Sequence, residues 1–366
     1  MAILAPVPVP YREPLFRALA ARGRIVPRVI YLSSVQPGWD QRPEWFSGRR
    51  GYESEMLDAW QRPRPGRTPL MVARGVGAAL SRASPACVVS WEYGPATWRA
   101  LAWSRRRQRP LVIFSELTPW SDPELSALQR RIHGAIAPRV SGFVVASSQG
   151  ARRLQRLGVD PARVEVSLQS ADLEPLLALE RRDRGGEPVR VLSIGRLVPD
   201  KNLAMLLTAF AEARFAPGEA ELIVCGSGPL EGELRALAER LGLPVSFAGY
   251  AAPAELSAAY AGADVLALVS TYEPFGVTIR EGAAAGLPLL CSRRAGAAGD
   301  LAVEDENALL VDPTRRDEIT AALRRLVHDR DLRERLAAGS RAVTARHPLE
   351  ADLEAWERAV LKAVAG

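Results

Sequence analysis

Residues 265–292, VLALVSTYEPFGVTIREGAAAGLPLLCS, decide the fold class of this chain. The short apolar run VLALV is typical of a buried parallel strand, and the stretch after the loop has the spacing of a helix. A second apolar run, PLLC, follows directly. Two such runs joined by a helix predict a βαβ unit with parallel strands.

The same alternation continues in both directions along the 366 residues, a length that fits two domains. The polar stretch Glu180–Pro188 (ERRDRGGEP) has the composition of a linker between them. We therefore predict an α/β protein with two facing doubly wound, Rossmann-like domains and a cleft between them. Residues 1–175 and 188–345 form the two domains, and a last helix, 346–366, is expected to pack back toward the first.

Within the first half, residues 33–68 are rich in Gly, Pro, Trp and Arg and predict a long loop, followed by a helix over 69–82. A loop of this length is uncommon unless it has a function. Aromatic residues in and near it could offer flat surfaces to a sugar or a lipid, or could pack the loop against the sheet: Trp39, Trp45, Phe46, Tyr52 and Trp60.

Composition excludes several protein classes. Apolar residues make up 48% and charged residues 25% of the chain, which are ordinary globular values. The sequence contains no apolar run near the ~20 residues of a membrane-spanning helix, and its proline-broken start has no basic segment of a secretion signal. The three cysteines, Cys87, Cys225 and Cys291, are far apart, which argues against a disulfide scaffold or a zinc site and fits a reducing cytosol.

Charge is distributed unevenly along the chain. Residues 1–175 contain 25 Arg and 14 acidic residues, a net +11, whereas the remainder has a net −5. This indicates an anionic partner of the first half, such as a membrane leaflet, a lipid phosphate or a nucleic acid. The alternative is an arginine-rich composition, since Lys201 and Lys362 are the two lysines. No recognised nucleic-acid-binding motif is present, so we do not expect a nucleic-acid partner.

The first chemical constellation is GRLVPDKN, residues 195–202, after the apolar run VRVLSI. Gly195 permits a turn at a strand end, and Asp200 or Asn202 could cap the next helix. Arg196 and Lys201 would then stand where anions are favoured. Two cations there suit a diphosphate, although a capped helix with solvated charges would give the same pattern.

A second constellation is CGSGP, residues 225–229. Its glycine spacing departs from the dinucleotide fingerprint, and it lies in mid-domain, so it is a weak NAD signal. A tight turn with Pro229 at the first helical position explains it equally well.

The third constellation is the strongest: Glu273 and Glu281 are eight residues apart in EPFGVTIRE. A helix beginning near Gly276 would leave the first backbone N–H groups free for phosphate or sugar hydroxyls. The carboxylate of Glu281 could accept the vicinal hydroxyls of a ribose, while Glu273 would lie in the loop. A loop acid and a solvated helix acid are the structural alternative.

Together these stretches resemble family 4 of the retaining, nucleotide-sugar-dependent glycosyltransferases with the GT-B fold. The resemblance covers residues 165–345 strongly, and EPFGVTIRE matches the family's Glu-x7-Glu signature. The first half is similar only loosely, through PYREPLFRALA and FVVASSQGARRLQRLGV. The other matching stretches are SIGRLVPDKN, VCGSGPLEGEL, FAGY, AGADVLALVSTYEPFGVTIREGAAAGLP and ENALLVDP.

The resemblance implies a role for each matching position. Arg196 and Lys201 would bind the donor diphosphate, Glu281 the ribose, and Glu273 the transferred sugar. The donor site would be completed by Gly195, Gly226, Gly249, Tyr250, Phe275, Gly276, Val277 and Thr278. Family members need no cofactor, so the donor, a UDP- or GDP-linked sugar, is the nucleotide involved. Asp329-Arg330-Asp331 matches a metal-binding DxD, but its position predicts a helix cap.

The first half departs from the family. Val7-Pro8-Val9-Pro10-Tyr11 replaces the usual glycine-rich loop, Glu116 stands where many members have a histidine near the reacting sugar, and Asn307-Ala308 replaces Asn-Gly. We expect Glu116 to be catalytic and Tyr11, Glu92 and Tyr93 to contact the acceptor. The basic stretch Trp103–Arg109 could rest on anionic lipid or be a solvated helix end.

The resemblance thus implies a cytoplasmic enzyme, peripheral at the inner face of the cell membrane, that transfers a hexose to a glycan, lipid-linked or small-molecule acceptor. A nucleotide-sugar epimerase, a phosphorylase and a non-catalytic binding protein are the alternatives. Of these, a phosphorylase would need a pyridoxal-phosphate lysine, for which only Lys201 and Lys362 exist.

Overall fold

The computed structural model describes residues 1–35, 50–64, 67–179 and 187–366, with the backbone alone described within 63–69. Two compact units are present: unit 1 comprises residues 1–171 and 348–366, and unit 2 comprises residues 172–347. Most of the predicted linker, residues 180–186, and the aromatic residues Trp39, Trp45 and Phe46 lie outside the described residues.

Unit 1 is organised around a parallel sheet. Its strands are β1 (Ala2–Ala5), β2 (Arg28–Tyr31), β3 (Glu53–Met56), β4 (Ala59–Arg64), β5 (Arg67–Ala73), β6 (Val88–Trp91), β7 (Leu111–Ser115), β8 (Gly142–Val145) and β9 (Val164–Val166). Seven of them form one sheet in the order β3-β2-β1-β6-β7-β8-β9, and β4 pairs antiparallel with β5. Strand order reverses between β1 and β6, which is where sheets of this kind bind ligands.

The helices of unit 1 that precede residue 171 are α1 (Glu13–Arg22), α2 (Val76–Ala83), α3 (Pro95–Arg107), α4 (Ala127–Ile136) and α5 (Ser148–Arg156). The long loop predicted over 33–68 is wrong where the chain forms β3 and β4. The helix predicted over 69–82 is wrong up to Ala73, because those residues belong to β5. Edge strand β3 (ESEM) has poor intrinsic strand propensity and forms because it pairs in register with β2. Gly75, at φ 76°, separates β5 from α2.

Unit 2 has a second, six-stranded parallel sheet in the order β12-β11-β10-β13-β14-β15. Its strands are β10 (Val189–Ile194), β11 (Ala220–Cys225), β12 (Val245–Gly249), β13 (Val265–Leu268), β14 (Leu289–Ser292) and β15 (Ala308–Val311). Order reverses between β10 and β13, so the loops after these two strands meet at the switch point. The two Rossmann-like α/β units confirm the predicted fold class.

Helices cover both faces of this sheet. They are α6 (Glu174–Leu177), α7 (Leu203–Ala213), α8 (Glu231–Arg240), α9 (Pro253–Ala261), α10 (Val277–Ala284), α11 (Arg316–His328) and α12 (Arg330–Arg346). The side chain of Asp329 accepts a hydrogen bond from the Leu332 amide at 2.8 Å. The helix cap predicted for Asp329-Arg330-Asp331 is therefore confirmed.

The last helix, α13 (Leu349–Ala365), belongs to unit 1. Trp356 is fully buried and stacks on Phe114 of β7, with ring centroids 5.6 Å apart. The buried carboxylate of Glu357 pairs with the Arg24 guanidinium at 2.7 Å. Among the described residues, no helix has the length and apolar composition required to span a bilayer.

Candidate functional site

Backbone hydrogen bonds of glycine residues join the ends of three strands of unit 2. The Gly195 amide, after β10, donates to the Cys225 carbonyl at 3.0 Å, and the Gly226 amide, after β11, donates to the Gly249 carbonyl at 2.7 Å. A Cβ on Gly226, whose φ is 142°, would lie 1.9 Å from the Gly195 oxygen. Gly226, the first glycine of CGSGP, is thus required because the backbones of neighbouring turns lie in contact there.

The same turn corrects an expectation about its proline. Helix α8 begins at Glu231, with Leu230 as the preceding residue, so Pro229 does not occupy the first helical position. The Leu230 amide instead donates to the Leu197 carbonyl at 3.1 Å. The turn after β11 is therefore anchored to the turn after β10.

Arg196 and Lys201 lie together, as the sequence predicts. Both line one narrow crevice at the end of β10, which is too small to hold a water molecule, with Gly195 beside them. The Lys201 ammonium contacts the carboxylate of Glu273, and the two side chains are 18% and 11% exposed. Glu281 is not among the residues that line this crevice.

The loops after β10 and β13 are also joined by their backbones. The Thr271 amide donates to the Asp200 carbonyl at 2.9 Å. The side-chain amide of Asn202 donates to the carbonyls of Val269, at 3.1 Å, and Pro313, at 2.8 Å. Asn202 precedes α7 at φ 57° without a side-chain cap, so its predicted capping role is wrong. Its side chain ties three loops together, which fixes the position of Lys201.

Helix α10 begins at the switch point. Gly276 precedes it at φ 97°, and a Cβ there would lie 2.9 Å from the Ile279 side chain. The ring of Phe275 is 2% exposed, so only its backbone could contact a ligand. The amides of Val277 and Thr278 belong to the first helical turn, where N–H groups lack intrahelical acceptors. This end of α10 suits an anion or sugar hydroxyls.

Glu281 has a partner that the sequence did not indicate. The hydroxyl of Tyr260, on α9, donates to the Glu281 carboxylate at 2.7 Å. Burial raises the pKa of Glu281, and the Tyr260 hydrogen bond opposes that rise. Burial also raises the pKa of Tyr260 well above its usual value, so it remains a donor. The hydrogen bond thus engages one of the two carboxylate oxygens of Glu281.

Unit 1 has a polar cluster at the carboxyl ends of its central strands. The Arg12 guanidinium donates to the Glu116 carboxylate at 2.8 Å and lies 4.2 Å from the Trp91 ring centroid. Gln169 also donates to Glu116. Glu116, expected from the sequence to be catalytic, is therefore held by two partners. Neither partner was predicted, because each comes from a distant part of the chain.

Glu92 is half-buried beside this cluster, at a left-handed backbone angle, φ 53°. Its carboxylate accepts the Glu116 amide at 2.6 Å and the Ser115 hydroxyl at 2.8 Å. Burial raises the pKa of Glu92 to about 7, and the Glu116 amide opposes that rise. Both oxygens are engaged within the protein, so Glu92 holds the turn that carries Glu116.

We expect Glu92→Gln to remove a pH dependence of stability. A carboxyl with a pKa near 4.5 when unfolded and about 7 when folded binds more protons in the folded state, so stability falls as pH rises from about 4.5 to 7. The loss is at most roughly 3–4 kcal/mol, from 2.5 pKa units at 1.36 kcal/mol each. Gln mimics the neutral carboxyl, so the difference in melting temperature between variant and wild type should grow from pH 5 to pH 8. A constant difference would contradict the assignment.

The other aromatic residues that the sequence offers for an acceptor differ in their exposure and contacts. Tyr11 is half-buried, and its carbonyl accepts the Ser170 hydroxyl at 3.0 Å. The ring of Tyr93 is 4% exposed and stacks on His133, with centroids 4.1 Å apart. Tyr93 thus packs within unit 1, and its contact with the acceptor stays a prediction. Tyr52 donates to Glu13 at 2.7 Å, whereas Trp60 is 55% exposed.

The described parts of the chain contain no group of three or more His, Cys, Asp or Glu side chains that could hold a metal ion.

Two family models match this chain. The model described as glycosyl transferases group 1 matches residues 180–343, and the model described as glycosyl transferase 4-like domain matches residues 8–167. Together they span both units. The match is thus stronger in the first half than the loose resemblance of its motifs indicates.

Curated relatives are similar over part of their length. The sulfoquinovosyl transferase SQD2 of Arabidopsis thaliana is 30% identical over 200 residues, which is 53% of this chain and 37% of the relative. A GDP-mannose-dependent phosphatidylinositol monomannoside mannosyltransferase of Mycobacterium tuberculosis is 34% identical over 196 residues, 51% of each chain. The chain thus aligns with about half, or less, of these relatives.

Solved structures match over nearly the whole chain. HepE of Anabaena, in complex with UDP and glucose, superposes with a TM-score of 0.76 at 19% identity, over 96% of this chain and 97% of the other. The sucrose-phosphate synthase of Thermosynechococcus elongatus gives a TM-score of 0.72 at 18% identity, over 97% of both chains. These matches show the GT-B fold.

Proposed function

We propose that this chain, which belongs to the family 4-like glycosyltransferases with the GT-B fold, is a retaining enzyme. It moves a hexose from a nucleoside diphosphate to an acceptor hydroxyl, with retention of the anomeric configuration. The donor would be UDP- or GDP-linked, and the acceptor a glycan, a lipid-linked sugar or a small molecule. The observation that carries the proposal is that Arg196 and Lys201 lie together at the end of β10, with Glu273 in contact with the lysine.

In this proposal each donor group has a counterpart in unit 2. Arg196 and Lys201 neutralise the diphosphate, and Glu281, held by Tyr260, accepts the ribose hydroxyls. The first-turn amides of α10 and the backbone around Phe275 hold the sugar and phosphate. The joined glycine turns, with Gly249 and the partly exposed Tyr250 at the end of β12, lie nearest the base.

The proposed reaction proceeds on one face of the sugar. The bond between the anomeric carbon and the diphosphate oxygen breaks, the acceptor oxygen bonds to that carbon, and the acceptor proton passes to the departing phosphate. Glu273 is paired with Lys201, so it positions the sugar and its charge is balanced. The enzyme would act by orientation and by stabilising charge on the leaving group.

We propose that the acceptor meets unit 1, near Tyr11 and the turn that carries Glu116. The net +11 of residues 1–175 supports contact with an anionic surface, and hence a place at the inner face of a membrane. The phosphatidylinositol monomannoside in the name of the mycobacterial relative fits this. An epimerase or a non-catalytic binding protein has no specific observation in its favour.

A thermal-shift panel of UDP-, GDP-, ADP- and dTDP-sugars tests the donor class. At 100 times its Kd, the true donor should stabilise the protein by ~2.7 kcal/mol, because it binds only the folded state. We expect one nucleotide to produce this shift together with slow hydrolysis of its sugar. Absence of a shift with every donor would refute the proposal.

Tyr260→Phe is the matched variant for this panel. It keeps the ring buried on α9 but removes the hydroxyl that orients Glu281. We expect the donor Kd to rise about tenfold, the scale of a hydrogen bond to a charged group. An unchanged Kd would show that Glu281 does not contact the ribose.

A further inference from the structure

Unit 1 contains an open apolar groove between α3 and α4 that the proposed site does not use. It has a volume of about 510 Å³. It is lined by Trp98, Leu101, Ala102, Arg105, Ile132, Ala135 and Ile136. On α3 the lining positions recur at helical spacing, so one face of this helix is apolar and open.

Large apolar side chains along this groove are exposed. Trp98 is 45% exposed, and Leu128, one turn before Ile132 on α4, is 67% exposed. Helix α3 begins at the carboxyl edge of the sheet, and Arg105 lies almost three turns further along. The groove therefore runs from the edge that carries the polar cluster toward the opposite end of α3.

The two chain segments that include α3 and α4 contain charged side chains of one sign. Residues 93–115 contain five Arg and residues 125–159 contain six, and neither segment contains an Asp or Glu. Arg131, one turn before Ala135, and Arg106, one turn after Ala102, border the lining residues and are exposed. In the described residues, Arg105, Arg106 and Arg131 make no ion pair with a carboxylate.

We propose that this groove binds an anionic lipid of a bilayer, with a hydrocarbon chain against Trp98, Leu101 and Ile132 and the headgroup phosphate at Arg105 and Arg131. Apolar area flanked by cationic side chains is the pattern by which surface helices hold anionic bilayers. Arginines near such a surface add electrostatic attraction to the anionic headgroups.

The small number of lining residues favours a lipid chain over a protein. The groove is open to solvent and is lined by seven residues. A stable protein interface requires ~800 Å² on each partner, with 20–30 residues a side. A nucleic acid would not need the apolar lining, since its affinity comes from phosphate contacts. The inference deepens the proposed membrane contact and does not depend on sugar transfer.

Co-sedimentation of the whole chain with vesicles tests the inference without any donor present. Vesicles of phosphatidylcholine alone are compared with vesicles that also contain phosphatidylglycerol. Ala102→Glu places a charge on an exposed groove position, and Arg105→Glu with Arg131→Glu reverses the headgroup charges. Arg240→Glu, on an exposed position of α8 in unit 2, is the matched control.

We expect wild type to bind only vesicles with phosphatidylglycerol, and both groove variants to bind at least tenfold more weakly. The control should bind as wild type does. All variants should keep the wild-type melting temperature within a few degrees. Equal binding by Ala102→Glu and wild type would refute the groove, because charge alone would then suffice. Equal binding to both kinds of vesicle would refute the anionic lipid as the ligand of the groove. The donor panel tests the proposed sugar transfer independently of this result.

Discussion

Replacing Lys201 with Ala is expected to lower turnover by ~10²–10³. Lys201 lies at the crevice it shares with Arg196, where charge would grow on the departing diphosphate. Loss of one preorganised donor of this kind costs ~2.7–4 kcal/mol of transition-state stabilisation. The same change leaves the mostly buried carboxylate of Glu273 without its cation, so the loop after β13 should also lose order. Steady-state kinetics with the donor identified by the thermal-shift panel measure the effect.

The chain provides its own control, because it contains one other lysine. Lys362 lies on α13 in unit 1, 58% exposed, and its ammonium pairs with Glu165 at 2.7 Å. Exposed pairs of this type contribute little to stability. Lys362→Ala removes the same charge and should keep turnover within twofold. If Lys201→Ala were as active as Lys362→Ala, the charge-stabilisation mechanism would be wrong.

Much of unit 2 could be predicted because local signals there agree with one another. The apolar runs that become β10, β13 and β14 are followed by loop and helix signals at the expected distances, and the sheet buries these runs on both sides. Arg196, Lys201 and Glu273 meet because the carboxyl ends of adjacent parallel strands share one edge. Sequence order alone therefore indicated this part of the site.

What the sequence did not indicate depends on contacts between distant segments. Tyr260 looks like any core tyrosine of an apolar helix, and only the fold brings its hydroxyl to Glu281. Arg12 and Gln169 reach Glu116 across more than fifty residues. Strand β3 is exposed at three of its four positions, so no apolar pattern marks it. Pairing energy, which local propensity does not contain, decides each of these cases.

Gly296→Ala is expected to damage both the stability of unit 2 and its turnover, although it adds a single methyl group. Gly296 follows β14 in AGAAG, residues 295–299. Within this run of small residues, the sequence does not indicate that one glycine matters more than the other. The Gly296 amide donates to the Glu273 carbonyl at 2.9 Å, and a Cβ would lie 1.9 Å from the Pro274 oxygen. The loop that carries Glu273 must then move. Overpacking of this kind costs ~1–3 kcal/mol, and a displacement of about 1 Å at the reacting groups can cost ~10² in rate.

Gly232→Ala is the control variant, because it shows the general effect of replacing a glycine without this clash. Gly232 lies in α8, and a Cβ there meets nothing within 4 Å. Because Ala loses less backbone freedom on folding, this variant should be as stable as wild type or up to ~1 kcal/mol more stable. Gly296→Ala should melt several degrees lower and lose most of its turnover, whereas Gly232→Ala should retain it. Should both variants melt and turn over alike, backbone contact at Pro274 does not position Glu273, and the site would owe its geometry to the Lys201 ion pair alone.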